Sequence, residues 1–427
     1  MDSRRDAVET TPAGPRRQEP IAVRARYVFP VSSEPIEGAY VVVRDGRIVD
    51  VCTTRPGVDR VIDLDDSLLL PALVNGHAHL EFSDRTEPIG CPRMPFVDWI
   101  RAVVGERRSH DRSGRSSAHA IRIRGLAECR ASGTAVIGEI ATRPWPESAD
   151  ECGDDPAPIV VFREILGADP AAIGALRSVA ADHLAGRLPA DWIAGLSPHA
   201  PYTVGLSLVE DLCRMAATRN APVAMHIAES PEEGMFLRDR SGPFRTLLEE
   251  LGAWHPEAWR GGIRAIDYLR ALAIADRALV IHGNFLERDE IEFISERRDR
   301  ISVVHCPRTH AFFGWSAHPV RAMHARGIRV ALGTDSRASN PDLSLFADAR
   351  RLVHRCPDLS PKVVLRMATL HGAEALGRGS RWGSIERGKR ALFARIRMSE
   401  RHRAADPHAL IWESEGAASL FDPSRAT

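Results

Sequence analysis

The chain has 427 residues, with 57 Lys and Arg against 57 Asp and Glu, so its formal net charge is zero. Neutrality argues against a nucleic-acid partner, because phosphate-backbone recognition needs a concentrated excess of cations. A hydrophobic fraction of 44% fits a globular chain, and no uncharged apolar run reaches the ~18 residues of a membrane span.

Residues 1–20, MDSRRDAVETTPAGPRRQEP, are polar, rich in Pro and Arg, and lack the apolar core of a secretory signal. They read as a disordered leader. The seven cysteines are odd in number, scattered and without a CxxC pair. Reduced thiols and a cytoplasmic address are expected.

Residues 21–70 read as β structure. In AYVVVRDGRIVDV two apolar runs flank Asp45-Gly46, which is a hairpin signature. A different regime spans 71–384. There LLPALVNGHAH, TAVIGEIA, PIVVFREIL, WIAGLSPHA, PVAMHIAE, ALVIHGN, ISVVHCP and RVALGTD alternate with longer helical stretches such as 206–220 and PVRAMHARG. Eight strand-then-helix units predict a (β/α)8 TIM barrel, and near-continuous apolar strands suit a parallel sheet covered on both faces. GSIERGKRALFARIRM then reads as turn plus strand. Residues 385–415 are expected to return to 21–70 and complete a small β-sandwich. The predicted fold class is thus α/β, a TIM barrel with a composite β-sandwich from both chain ends.

Polar residues collect where the barrel strands end, the face at which such barrels carry chemistry. His77 and His79 are two apart on the first strand, so both imidazoles share a face and can chelate one divalent ion. His199, His226, His282, His305 and Asp335 end the fourth to eighth strands. So many titratable groups in one barrel mouth mark a site. Glu229, three residues after His226, would lie within proton-transfer reach of a substrate; the competing reading is a helix N-terminal carboxylate. His305 is expected to support its strand end. Cys306 beside it points to the opposite face, which disfavours a Cys/His nucleophile. His310, His318 and His324 read as surface or packing residues.

The matches PALVNGHAHL, SPHAPYTV, HIAES, HCPR, ALGTDSRASN and ATLHGAEALG…GSIERGK, in that order over 22–398, resemble the amidohydrolase superfamily, in particular its deaminase/chlorohydrolase branch. The resemblance implies one divalent metal, zinc ahead of iron, held by His77, His79, His226 and Asp335. It implies that Glu229 and His282 transfer protons, with Asp335 helping to accept the proton of the attacking water, and that His199 contacts the substrate ring. Ala72 in place of the usual Gly, the missing Asp after GKRA, and Thr309-His310 in place of Ser-Asn are departures. The last lies near the site and bears on substrate identity.

Only two residues, Lys362 and Lys389, are lysine, and neither falls on a barrel strand. A binuclear centre bridged by a carboxylated lysine therefore has no candidate residue, which favours a single ion. Phe96 and Trp99, read as lying in the loop after the first strand, and Phe312, Phe313 and Trp315 after the seventh, could stack on a purine or simply anchor the loops. Arg308, and less so Arg163, could pair with a substrate carboxylate. Trp99, Phe312, Arg308 and His199 are the substrate-binding candidates.

The segments around HIAES, HCPRTHAFFG and GTDSRASN most resemble deaminases of adenine nucleosides. The implied reaction releases ammonia from a 5′-modified adenosine of the aminodeoxyfutalosine, S-adenosylhomocysteine or methylthioadenosine type. Alternatives are a guanine, cytosine or triazine aminohydrolase or chlorohydrolase, a metal-dependent amide hydrolase, and a non-catalytic binding module. The expected partner is a small heterocyclic or nucleoside substrate, with neither nucleic acid nor membrane; homo-oligomerisation is left open.

Overall fold

The structure, a computed structural model, describes residues 19–113, 117–145, 158–398, 406–414 and 416–426. The leader expected over 1–20 lies outside the described residues except for Glu19 and Pro20, and Cys152 lies outside them as well.

Eight parallel strands form the barrel among the described residues. In chain order they are Leu73–His79, Thr134–Ala141, Ile159–Ile165, Ile193–Pro198, Val223–Ile227, Ala278–His282, Ile301–His305 and an eighth in two pieces, Val330–Leu332 and Asp335–Ser336. Each pairs with its sequence neighbour, and the second piece of the eighth pairs with the first strand, Asp335 opposite Ala78. The eight predicted segments all become these staves. Their near-uniform burial explains why they read as apolar runs rather than alternating ones.

The break in the eighth strand has a local cause. Gly333 packs so closely on the first strand that a Cβ there would meet the His77 carbonyl oxygen at 2.9 Å. The Asn75 side chain then bridges the break. Its Oδ1 accepts from the amides of His77 and Thr334, each at 3.2 Å, and its Nδ2 donates to Thr334 Oγ1 at 2.8 Å. Asp335 follows in the left-handed region at φ 59°, turned toward the barrel axis.

Two small sheets lie beside the barrel. One contains Ile21–Arg24, Tyr40–Arg44, Arg47–Cys52 and Arg60–Asp63. The other contains Tyr27–Val28, Ile36–Glu37, Ser67–Pro71, Phe393–Arg397 and Ala418–Phe421. Asp45 and Gly46 form the expected hairpin turn with φ of 50° and 68°, the signs a two-residue turn requires. Val23, Val41 and Ile48 of one sheet and Val28, Leu69 and Phe393 of the other share one apolar core. The last strand runs to Phe421, past the expected end at 415, because the helix Pro407–Glu413 intervenes and packs Trp412 on Phe346. No helix among the described residues is long and apolar enough to cross a membrane. The six described cysteines are all unpaired.

Candidate active site

The strand ends bring His77, His79, His226, His282, Glu229 and Asp335 together at the barrel mouth, all of them buried. Asp335 Oδ1 lies 3.6 Å from His77 Nε2 and 3.8 Å from His79 Nε2. Ligand atoms of His77, His79 and Asp335 lie within 4.8 Å of one another, as do those of His77, His226 and His282. Both nitrogens of His77 and Nδ1 of His79 are buried without a hydrogen-bond partner among the described residues. Leaving such groups bare costs about 1–3 kcal/mol each. His226 Nδ1 faces the His199 carbonyl oxygen at 2.9 Å, and a carbonyl only accepts, so Nδ1 carries the proton and Nε2 keeps its lone pair. Imidazoles with bare nitrogens around one carboxylate are a donor set that fits a divalent cation.

Electrostatics agree with this. Burial drives His79, His226 and His282 well below the ordinary histidine value, so they are neutral. Burial alone would raise Asp335, but the neighbouring His77 ring outweighs it and holds the carboxyl below its usual range. Ser339 Oγ also donates to Asp335 Oδ2 at 3.0 Å.

Glu229 stands on the opposite flank, with Oε1 3.3 Å from His282 Nε2. Burial, reinforced by the Asp335 charge, pushes its carboxyl well above the usual range. Its backbone is clamped from both sides. The Glu233 carboxyl accepts from the amides of Ala228 at 2.7 Å and Glu229 at 3.3 Å, and Asn284 Nδ2 donates to the Glu229 carbonyl at 2.9 Å. Ala228 is left-handed at φ 52° and His282 at φ 68°, so the strand ends are bent where they present these groups. Glu229 precedes the helix Pro231–Asp239 rather than capping it with its side chain; Glu233 makes the capping contacts.

A cavity with about 1120 Å³ of empty space, counted out to solvent, opens above this centre. His79, His199, His226, Glu229, His282 and Asp335 face it. Trp99 lines it too, from a helix, Phe96–Ser113, and not from a loop as read from sequence. Phe244, Leu247 and Leu248 of the helix Pro243–Glu250 form much of the apolar wall, and Tyr202 stacks on Phe244 at 3.8 Å between ring centroids.

Two sequence expectations are corrected. Arg308 does not face the cavity: its guanidinium is tied to Asp348 at 2.9 Å and Asp342 at 2.8 Å, which uses the donors a substrate would need. Phe312 does not line the cavity either; it packs on Phe313, while Phe313 holds Phe96 and Trp99 in place. Arg163 likewise donates to the Ala141 and Thr142 carbonyls. Lys362 pairs with Glu34, and Lys389 Nζ donates to Ser384 Oγ at 2.6 Å, both away from the mouth.

Sequence reasoning passed over Glu164, Tyr202 and Glu233. Glu164 had a usable signal: it lies two residues after Phe162 near the third strand's end, where alternation sends every second side chain to the barrel axis. Its side chain is 3% exposed, and burial raises its carboxyl to about 7.

The Amidohydrolase family model matches residues 68–397. A 5-methylthioadenosine/S-adenosylhomocysteine deaminase of Saccharophagus degradans is 26% identical over 415 residues, covering 90% of this chain and 84% of its own. Among solved structures, Helicobacter pylori aminofutalosine deaminase in complex with methylthio-coformycin superposes with a TM-score of 0.79 at 23% identity, covering 95% of this chain and 98% of its own. An adenosine deaminase from Xanthomonas campestris with bound zinc gives a TM-score of 0.71 at 24% identity, with 94% and 91% covered.

Proposed function

The chain belongs to the amidohydrolase family, and from that premise we propose that it is a hydrolytic deaminase releasing ammonia from an adenine-type nucleoside with a modified 5′ group. The observation that carries the reading is the buried Glu229 carboxyl, 3.3 Å from His282 and facing one cavity with the His77, His79, His226 and Asp335 set. The deaminases named among its relatives and structural neighbours support it.

His77, His79, His226 and Asp335 would hold one divalent ion, zinc ahead of iron, as the zinc in the Xanthomonas structure supports. Bound there, such an ion supplies the Lewis acidity that makes hydroxide available near neutral pH. The chain's own groups manage the protons. Asp335, ionised, and His282 Nε2, neutral, accept the proton of the attacking water and orient it. Glu229 donates its proton to the ring nitrogen beside the attacked carbon, so negative charge does not build up on the ring. The same carboxylate then carries a proton to the departing amine. His199 lies across the cavity and supports the far edge of the ring. Reduced cysteines support a cytoplasmic setting.

The test is ammonia release by metal-analysed protein from aminodeoxyfutalosine, S-adenosylhomocysteine, methylthioadenosine, adenosine, guanine, cytosine and a chlorotriazine. Turnover confined to the adenosines is expected. Turnover of only a free base or the chlorotriazine would replace this reading.

A further inference from the structure

The departure at Thr309-His310, expected to bear on substrate identity, turns inward instead. Thr309 is fully buried and does not face the cavity. Its hydroxyl belongs to a row of side chains that runs from Asn340 to Asp335. Asn340 Nδ2 lies 3.1 Å from Thr309 Oγ1, which lies 2.9 Å from Ser339 Oγ. Ser339 Oγ in turn lies 3.0 Å from Asp335 Oδ2. Thr309, Ser339 and Asn340 are at most 1% exposed, so bulk water does not compete for these bonds.

Donor and acceptor chemistry fixes the direction of every bond. Asn340 Nδ2 also faces the Thr334 carbonyl, which only accepts, so the amide orientation is set and Nδ2 donates at both contacts. At the other end the Asp335 carboxylate at 3.0 Å and the Ser336 carbonyl at 3.5 Å only accept, so the single Ser339 hydroxyl proton points to them. Ser339 Oγ is then the acceptor toward Thr309, and Thr309 donates its one proton there. All three bonds run one way and end on a negative charge, so each polarises the next. Asp335 Oδ2 is thereby occupied, while Oδ1 stays toward His77 and His79 at 3.6 Å and 3.8 Å.

We propose that Thr309 and Ser339 are positioning residues for the metal centre: their one-way hydroxyl chain grips Asp335 by Oδ2 and so keeps Oδ1 as the oxygen it presents beside His77 and His79. The eighth strand cannot do this by itself, because it is broken just before Asp335, whose backbone is left-handed at φ 59°. The chain supplies the missing hold from outside the strand, with Thr309 on the helix Pro307–Phe313 and Ser339 in the turn that follows Asp335–Ser336. The inference rests on the metal-site part of the reading above and on no particular substrate.

The experiment measures the zinc affinity of the zinc-loaded protein and its variants by competition with a chromophoric chelator, with the melting temperature of each recorded beside it. Ser339→Ala should hold zinc about tenfold to a hundredfold more weakly, the usual weight of a contact that orients a metal ligand. Thr309→Val keeps the shape but leaves Ser339 without its donor, and should weaken zinc about twofold to fourfold. Thr309→Ser restores the hydroxyl and should match wild type in zinc affinity, even where the lost methyl lowers the melting temperature. Wild-type affinity in Ser339→Ala overturns the inference. So does equal weakening in Thr309→Ser and Thr309→Val, which would make packing the role of Thr309. If Ser339→Ala does not fold, the two Thr309 variants decide alone. A wild-type protein that binds no zinc defeats the metal reading and the inference with it. Zinc binding needs no turnover, so a protein that holds zinc but deaminates no nucleoside loses the deaminase reading alone, and the variants still decide the chain.

Discussion

Two groups of histidines sit side by side in this barrel mouth. His77 and His79 flank Asp335, with Oδ1 3.6 Å and 3.8 Å from the two rings, and His226 lies beside His77 with ring centroids 5.0 Å apart. His305, His310 and His318 stand on and after the seventh strand, with His305 and His318 stacked at 3.8 Å between centroids. Burial lowers His79 and His226 in the first group and all three rings in the second, and both groups leave ring nitrogens without hydrogen-bond partners among the described residues. Burial and bare nitrogens therefore do not separate a metal centre from packing. What separates them is a carboxylate and convergence: His77 shares one gathering of ligand atoms within 4.8 Å with His79 and Asp335 and another with His226 and His282, whereas the second group forms no such gathering among the described residues. The second group instead steadies the first, since His318 Nε2 donates to the carbonyl of left-handed His282 at 2.9 Å.

The most severe way to break this comparison is His77→Ala. It should abolish stoichiometric metal and bring ammonia release to background, read by elemental analysis beside a turnover assay; full metal content would remove His77 from the centre. Next comes Glu229→Gln, expected to lower kcat about 10²–10⁴-fold, the usual weight of a positioned proton donor, with metal retained. Glu233→Gln should lower kcat about 10–100-fold, a magnitude typical of supporting contacts, because it places an amide N–H against the amides that now meet a carboxyl. KM and metal content should hardly move, and a fall in both would mean that Glu233 only stabilises the fold.

The smallest effects belong to the second group. His310→Gln should leave metal content intact and activity within about threefold, as befits a residue outside the special cases that shift stability or chemistry strongly. Its pH dependence is more telling. Burial lowers His310 to about 4 and His318 to about 3 from 6.5, so both favour the folded state in their neutral forms. That contribution is complete above pH 6.5 and is lost as pH falls toward the folded values. Melting temperature should thus drop between about pH 6.5 and 4, and more shallowly in His310→Gln. A drop of equal depth in the variant would remove His310 from the account.

The barrel was legible in the sequence because each stave is a largely apolar run, most with a polar residue at or next to the C-terminal end, and the first five quoted motifs fall on or just after stave ends. His77, His79, His226, Glu229, His282 and Asp335 were legible for the same reason: strand ends fix both their position and their direction. Arg308 and Phe312 misled because they lie on the helix Pro307–Phe313, where a one-residue rotation decides between cavity and core. Asp348, the partner that claims Arg308, is 40 residues downstream, and nothing in the local pattern announces it. The apolar wall from Pro243–Glu250 was hidden because the leucines that line a cavity look the same in sequence as leucines that fill a core. Glu164 was within reach by strand alternation but was not weighed.

The central claim is that one centre holds a metal while Glu229 supplies the proton. It is tested most directly by measuring metal content and adenosine-type ammonia release on a single preparation of Glu229→Gln beside wild type. One metal ion per chain in both proteins, with ammonia release lost only in the variant, is the predicted result. Retained turnover in the variant, or loss of its metal, would contradict the account.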